Sequence, residues 1–445
     1  MADRSAEPGL ARNTRLGVAN GILFSFGEAL NNGNLVLGPL VRQLGGGLWI
    51  VGLLPALQSG GWLLPQMLVG GRLQAQPYKL PLYRRSATVR ILAYGALVAV
   101  IMLADVVRPE LALAAIIVCY TVFNVGGGTS ALAFQDVVAK VIPPRRRGNF
   151  FGVRQLYGGL LAFALAGPLV ALLLNSNGPL PFPLNFGLLA LLSLVFMSVG
   201  LLSFCFVIEP PQRNVGRRQS FLETLRSAPD LLRRDHTYRT FVLSRLLTRV
   251  GQIGEPFYII YAREVLGLPA TIIGVYLAVR ALSAALSNIY WGRVSDRQGN
   301  RRLMLLTGAL IVCAPIVVLV GPWLAQLLGL GVAGLAVAMG LVYLLAGLAM
   351  DGSNIAGLTY LMEVAPEHER PTYTGIANTL LGVITLLPVL GGWLVQHVGY
   401  GGLFSLALVF AVAGLFTVGR LPERIAAEST PQRADLRPQP SAERP

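Results

Sequence analysis

Glu28, Arg249, Glu255, Arg280 and Asp351 each stand deep inside a long apolar run. A charge near a bilayer midplane costs at least about 2.5 to 3.5 kcal/mol, so such residues persist where they face a solute path or neutralise one another. Asn31 and Asn32 follow Glu28, with Asn20 and Asn34 nearby, and Gln252 and Tyr258 flank Glu255. These donors and acceptors suit a hydrogen-bonding solute or a proton-carrying site. A buried carboxylate without a cation takes up a proton readily, whereas a paired one stays ionised. Two readings stay open: the charges line a pathway, or Arg280 pairs with Glu255 or Asp351 only to fix helix packing.

Other chemistry is poorly supplied. A nucleotide-driven pump needs a phosphate-cradling loop ending in Gly-Lys-Ser or Gly-Lys-Thr, yet the only lysines, Lys79 and Lys140, precede Leu80 and Val141. A membrane enzyme needs a nucleophile with its base, or a metal cluster. His236, His368 and His397 fall in loops or at helix ends. Cys119, Cys205 and Cys313 sit singly in apolar runs and are expected as buried apolar residues. The sequence therefore reads as no enzyme, with no metal site and no cofactor.

The elements that must position these charges are membrane helices. Hydrophobic residues make up 54% of the chain and charged residues 13%, with a mean hydropathy of +0.62. A single soluble core cannot hide so much apolar surface. A hydrocarbon layer of about 30 Å is crossed by roughly 20 helical residues. That ruler divides the chain into twelve spans: 16–41, 48–71, 88–107, 111–140, 149–174, 184–208, 239–262, 269–291, 303–322, 331–362, 372–397 and 401–419.

The formal charge of +15 encodes topology. With the N-terminus placed inside, only Arg42, Arg108 and Arg263 fall outside, and Arg245, Arg249 and Arg280 fall within helices. All the other Lys and Arg residues lie on the inner side, as the positive-inside rule requires. Both termini are thus expected in the cytoplasm, in a multi-pass protein of the cell (plasma or inner) membrane, with no nucleic-acid partner. The first span is too polar at its centre for a cleaved signal and reads as a retained helix.

The expected organisation is a cytoplasmic N-terminus at 1–15, a first six-helix bundle at 16–208, a basic cytoplasmic linker at 209–238, a second bundle at 239–419 and a disordered tail at 420–445. In the linker, leucines and Phe221 alternate with arginines, which suits an interfacial helix interrupted at Pro229.

The two bundles repeat each other. Val141-Ile142-Pro143-Pro144-Arg145-Arg146-Arg147, then Gly152, is echoed by Val364-Ala365-Pro366-Glu367-His368-Glu369-Arg370, then Gly375. Pro143, Arg147 and Gly152 recur at one constant offset, shared by Tyr120 and Tyr343, and Gly71-Arg72 recurs as Gly292-Arg293. Such a duplication is characteristic of transporters built from two six-helix halves.

The stretch Gly292-Arg293-Val294-Ser295-Asp296-Arg297-Gln298-Gly299-Asn300-Arg301-Arg302 resembles the loop motif of the major facilitator superfamily, and it sits between the second and third helices of the second half. The first half keeps Gly71-Arg72 but has Ala75 in place of the aspartate. The resemblance implies an all-α membrane protein of twelve transmembrane helices in two pseudo-symmetric six-helix bundles. It implies a gating latch at Gly292, Arg293, Asp296, Arg297, Gly299, Arg301 and Arg302. There Gly292 would permit close helix contact, Gly299 a left-handed turn, and Asp296 would accept hydrogen bonds. It implies cytoplasmic gate contacts at Asp136, Arg147, Gly152, Arg370 and Gly375, with Gln135 and Arg154 beside them. It also implies that spans one, four, seven and ten line a central cavity, turning Glu28, Glu255 and Asp351 toward solute.

The resulting expectation is a monomeric secondary active transporter of a small organic solute. It would work by alternating access within the lipid bilayer, coupled to protons or another ion, with export favoured by an apolar cavity. The alternative is a membrane receptor or scaffold of the same fold that moves no solute.

Overall fold

The structure, a computed structural model, describes residues 6–74, 76–211, 221–366 and 369–423. Residues 1–5 of the N-terminal segment, 212–220 of the linker and 424–445 of the tail lie outside the described residues, as do Ala75, Glu367 and His368. All regular structure described is helical.

The first half comprises α1 (Ala6–Leu30), α2 (Gly38–Gln43), α3 (Leu48–Gln74), α4 (Leu80–Met102), α5 (Pro109–Val141), α6 (Pro144–Leu161), α7 (Gly167–Leu173) and α8 (Leu184–Cys205). After α9 (Phe221–Arg234), the second half comprises α10 (His236–Val250), α11 (Tyr258–Glu264), α12 (Ile272–Gln298), α13 (Asn300–Leu327), α14 (Gly331–Val364), α15 (Arg370–Ile384) and α16 (Pro388–Gly419). Large apolar side chains point outward all round, among them Leu92 at 68% and Val337 at 73% exposure. Only a lipid solvent makes that arrangement favourable.

Among the described residues nine helical stretches are long and apolar enough to cross a membrane. The sequence ruler differs from this count in identifiable places. The last stretch, Thr372–Gly419, runs to 48 residues and contains the expected spans eleven and twelve, with α16 kinked at Gly399, φ 72°. The expected spans one and seven are interrupted helices. After Leu30 the Asn32 side chain accepts from the Asn34 and Leu35 N–H groups, opening a π-helical turn at Gly33–Leu37 that leads into α2. In the seventh, Gly251, Gly254 and Pro256 end α10 and leave a 3-10 turn, Glu255–Phe257, before α11. Breaks of this kind expose backbone polar groups at membrane depth, which is tolerated only where protein or a polar cavity receives them.

The third span begins at Leu80 rather than at 88, because Pro81 is favourable in a first turn. Arg84, Arg85 and Arg90 therefore lie on α4, and Arg90 is buried. The amphipathic α9 accommodates Pro229 within its length. It packs Ala228 and Leu231 into the apolar cluster of the second half that includes Tyr238, Tyr360 and Tyr373. Cys313 is exposed on the outer wall and not buried as expected, while Cys119 and Cys205 are half-buried.

The halves meet along two seams, α3 against α16 and α12 against α6 and α7. Glycines let backbones touch there. An added Cβ on Gly52 would strike the Pro388 carbonyl, one on Gly392 the Leu48 carbonyl, and one on Gly274 the Gly167 carbonyl. The start of α1 and the end of α16 lie at one face of the molecule, here the terminal face; the ends of α2 and α11 lie at the opposite, far face. At the far face Arg42 Nε donates to Glu264 Oε1 at 2.7 Å and Nη2 donates to Oε2 at 3.2 Å, fastening one half to the other.

Candidate solute pathway

Glu28 lies in the last turn before the break in the first helix. Gln58 Nε2 of α3 donates to its Oε1 at 3.1 Å. Arg90 of α4 and Arg280 of α12 are the cations that act on this carboxylate, so charges from both halves share one region. Arg280 Nη2 donates to Glu255 Oε1 at 2.9 Å, with the two side chains 15% and 21% exposed, and approaches Met350 Sδ at 3.2 Å. The break in the seventh helix thus places Glu255 where α12 can reach it.

Arg249 donates to Gln252 Oε1 at 3.2 Å and, across the halves, to Ser59 Oγ at 3.4 Å. One turn nearer the terminal face, Arg245 donates to both the carbonyl and the Oγ of Ser353 at 2.8 Å. Among the described residues neither guanidinium has a carboxylate within ion-pair distance. Asp351 is drawn aside: Asn288 Nδ2 donates to its Oδ2 at 2.8 Å. Asn31 and Asn32 do not join this group. Asn31 donates to the Tyr94 hydroxyl at 2.7 Å inside the first bundle, and Asn32 caps the broken helix.

Two buried polar atoms here have no hydrogen-bond partner among the described residues, the Tyr343 hydroxyl and Asn34 Oδ1. The Tyr343 ring stacks on Tyr276 with centroids 4.8 Å apart and lies in the field of Arg280 and Glu255. Buried polar groups normally find partners, and these two depart from that rule.

A sequence profile described as Major Facilitator Superfamily matches residues 156–382 and 252–444. The chain belongs to the Major Facilitator Superfamily. It is a multi-pass membrane transporter and not an enzyme. Uncharacterized protein Rv2209 of Mycobacterium tuberculosis is 25% identical over 431 residues, covering 94% of this chain and 79% of the relative. A bacterial homologue of the iron transporter ferroportin shares the fold. Its inward-facing structure aligns with TM-score 0.67 at 15% identity, covering 93% of this chain and 99% of that one. Its outward-facing structure aligns with TM-score 0.61 at 14% identity, covering 93% and 100%. The D-xylose-proton symporter aligns with TM-score 0.64 at 15% identity, covering 94% and 99%.

The superfamily loop motif takes a different form from the one its sequence suggests. Gly299 adopts φ 82°, ψ 159° and links α12 directly to α13. Gly292 meets nothing within 4 Å of an added Cβ, so it is not a point of close helix contact. Asp296 is exposed and accepts no hydrogen bond from any described residue. The connected residue is Asn300, which is buried. It accepts from Ser295 Oγ at 2.6 Å and Thr359 Oγ1 at 2.7 Å, and donates to Glu363 Oε1 at 2.5 Å. Arg301 donates to the Gly419 carbonyl at 2.8 Å, while Arg293, Arg297 and Arg302 are exposed.

The equivalent corner of the first half is held by ions. Glu209 accepts from the Lys79 and Leu80 N–H groups, each at 2.8 Å, and from Lys140 Nζ at 2.5 Å. Asp136 lies in the same field. Sequence reasoning missed this cluster although its signal was present: the repeat offsets set Lys79 opposite Asn300, Asp136 opposite Thr359 and Lys140 opposite Glu363. Arg147 closes the end of α5, donating to the Ile142 and Ala139 carbonyls at 3.0 and 2.6 Å. Gly152 faces open space. The Gly375 carbonyl accepts a local bond from Thr379 Oγ1, and Arg370 begins α15.

Arg90, counted among the inner-side cations, and Arg154, expected beside the cytoplasmic gate, both lie against aromatic rings. Arg90 lies over the Phe24 and Phe123 rings at 4.8 and 4.5 Å and donates to Ser130 Oγ at 3.2 Å. Arg154 lies over Phe134 at 4.4 Å and donates to Asn20 Oδ1 at 3.1 Å. Aromatic faces make such burial tolerable, and hydropathy windows cannot register them.

Proposed function

We propose that this transporter moves a small organic solute by alternating access, coupled to protons through Glu28. The observation that carries the reading is the meeting of both halves at one site. Glu28 of the first half feels Arg280 of the second, and Arg249 of the second touches Ser59 of the first. Rocking one half against the other changes both relations, so occupancy and protonation of the site become linked to conformation.

The interior charge supports a solute bearing acceptors or negative charge. Among the described residues Arg245 and Arg249 share one face of α10 with no carboxylate in ion-pair distance, and the Tyr343 hydroxyl, in the field of Arg280 and Glu255, has no hydrogen-bond partner. The conformation supports the cycle as well. The two halves are tied at the far face by Arg42 and Glu264, whereas the terminal-face bonds of Lys140, Arg234 and Arg301 among the described residues run within a half or to its linker. This matches a site open toward the terminal face, which the positive-inside rule makes cytoplasmic. The higher similarity to the inward-facing ferroportin homologue supports the same state.

The test is flux in proteoliposomes of defined orientation, with and without an imposed pH gradient, against a labelled panel of organic anions, neutral metabolites and amphiphilic cations. Gradient-driven flux that Glu28→Gln uncouples is expected, and its sign gives the direction. Flux that proceeds unchanged in Glu28→Gln overturns the coupling role, and flux restricted to cations overturns the assigned solute chemistry.

A further inference from the structure

We propose a binding site for an anionic phospholipid headgroup on the outer wall of the first half, at the terminal face. A hollow of about 400 Å³ opens between the beginnings of α1 and α4 and the end of α8. Arg12, Tyr78, Arg84 and the segment Phe206–Glu209 line it.

Its chemistry is that of a phosphodiester with an acyl chain attached. Arg12 and Arg84 are exposed and have no carboxylate within ion-pair distance among the described residues. Arg12 uses Nη2 on the Phe206 carbonyl at 3.1 Å, and Arg84 uses Nε and Nη2 on the Cys205 carbonyl at 3.0 and 2.8 Å. A guanidinium carries five N–H donors, so each keeps donors for a phosphate after these bonds. The carbonyls fix both guanidiniums against the end of α8, which reduces the ordering cost of binding. Glu209 does not cancel them. Its carboxylate is 2% exposed and committed to Lys140 and the N–H groups of Lys79 and Leu80.

The hollow is bordered by apolar surface that is exposed among the described residues. Phe206 is 62% exposed, Ile208 55% and Tyr78 45%. A soluble phosphate has no use for such a border, whereas a lipid lays its glycerol and first methylenes against it. Arg85, also exposed, follows Arg84 on α4 and adds to the local positive field.

Native mass spectrometry of the delipidated full-length protein, given equal phosphatidylglycerol and phosphatidylcholine, tests this. Retention of phosphatidylglycerol roughly tenfold over phosphatidylcholine is expected, falling toward parity in Arg12→Ala/Arg84→Ala. Arg108→Ala, which removes a cation from the far face, should leave the preference unchanged. In the wild type the preference should shrink as salt rises, a readout independent of any variant's stability. Arg84→Lys, which keeps the charge, should retain most of it. Equal retention of the two lipids, or a preference that survives both the double substitution and high salt, overturns the site. Displacement of phosphatidylglycerol by millimolar inorganic phosphate would reassign it to a free anion and overturn the lipid.

Discussion

Replacing Gly52 or Gly392 by valine should push the far face open. Each glycine lies where α3 and α16 touch across the halves, and the atoms that an added Cβ would meet are the backbone carbonyls of Pro388 and Leu48. Backbone cannot swing aside as a long side chain can, so the strain falls on the seam itself. Overpacking a tight contact costs about 1–3 kcal/mol. That cost applies only while the seam is closed, so the ratio of closed to open molecules should fall by between about 5-fold and about 150-fold. The Arg42–Glu264 pair resists this with little, since its side chains are 31% and 38% exposed and such pairs contribute about 0.2–1 kcal/mol. Spin labels at Gln43 and Val265, neighbours of that pair, would report the separation by pulsed electron resonance. The expected result is one short distance in the parent and a second, longer population in either glycine variant. Gly401→Ala, where a Cβ meets nothing within 4 Å, should leave the distribution alone. An unchanged distance in both wedge variants would refute the assignment of this seam as the closing surface.

Three other outcomes follow from the same geometry. Lys140→Ala takes one cation from a carboxylate that is 2% exposed but keeps its Lys79 and Leu80 N–H donors, and should cost about 1–3 kcal/mol, read as a lower midpoint of unfolding in mild detergent, with Glu209→Gln costing less in the same background. Asn300→Ala removes the hub between α12, α13 and α14 and should cost about 1–3 kcal/mol, whereas Asp296→Ala should be close to neutral for stability; equal losses would show that Asp296 is engaged after all. Exchanging the far-face pair in Arg42→Glu/Glu264→Arg should restore the closed distance that either single reversal weakens, and a double variant as open as the singles would remove the pair from the closure.

The sequence carried the architecture because hydropathy and repeat spacing are properties of whole segments. Twelve apolar runs, a basic linker and a doubled loop pattern are averaged over many residues, and small errors at their ends do not matter. That Arg280 could pair with a membrane carboxylate was likewise legible, but Glu255 and Asp351 stayed equal candidates until the break in the seventh helix placed Glu255 within 2.9 Å. The remainder depended on direction. Whether Asn31 points into the pathway or into its own bundle turns on a helix break that begins one residue later. Arg90 was counted among the inner-side cations because a window ruler cannot foresee that Phe24 and Phe123 offer it two ring faces. Asp296 drew attention as the motif's charged residue, yet Asn300 holds the corner, because a buried neutral side chain can serve three partners without a desolvated charge.

The clasp of Lys79, Lys140 and Glu209 has a practical corollary for anyone handling this protein. It consumes every lysine the chain possesses, one fully buried and the other 14% exposed at its side chain. Amine-directed reagents, from succinimidyl dyes to glutaraldehyde and lysine-specific proteases, should thus find almost nothing to attack on the folded molecule beyond its α-amino group. The same reagents become a stopwatch for one corner of the fold: the first internal lysine adduct to appear marks the moment that the first half lets go of the linker.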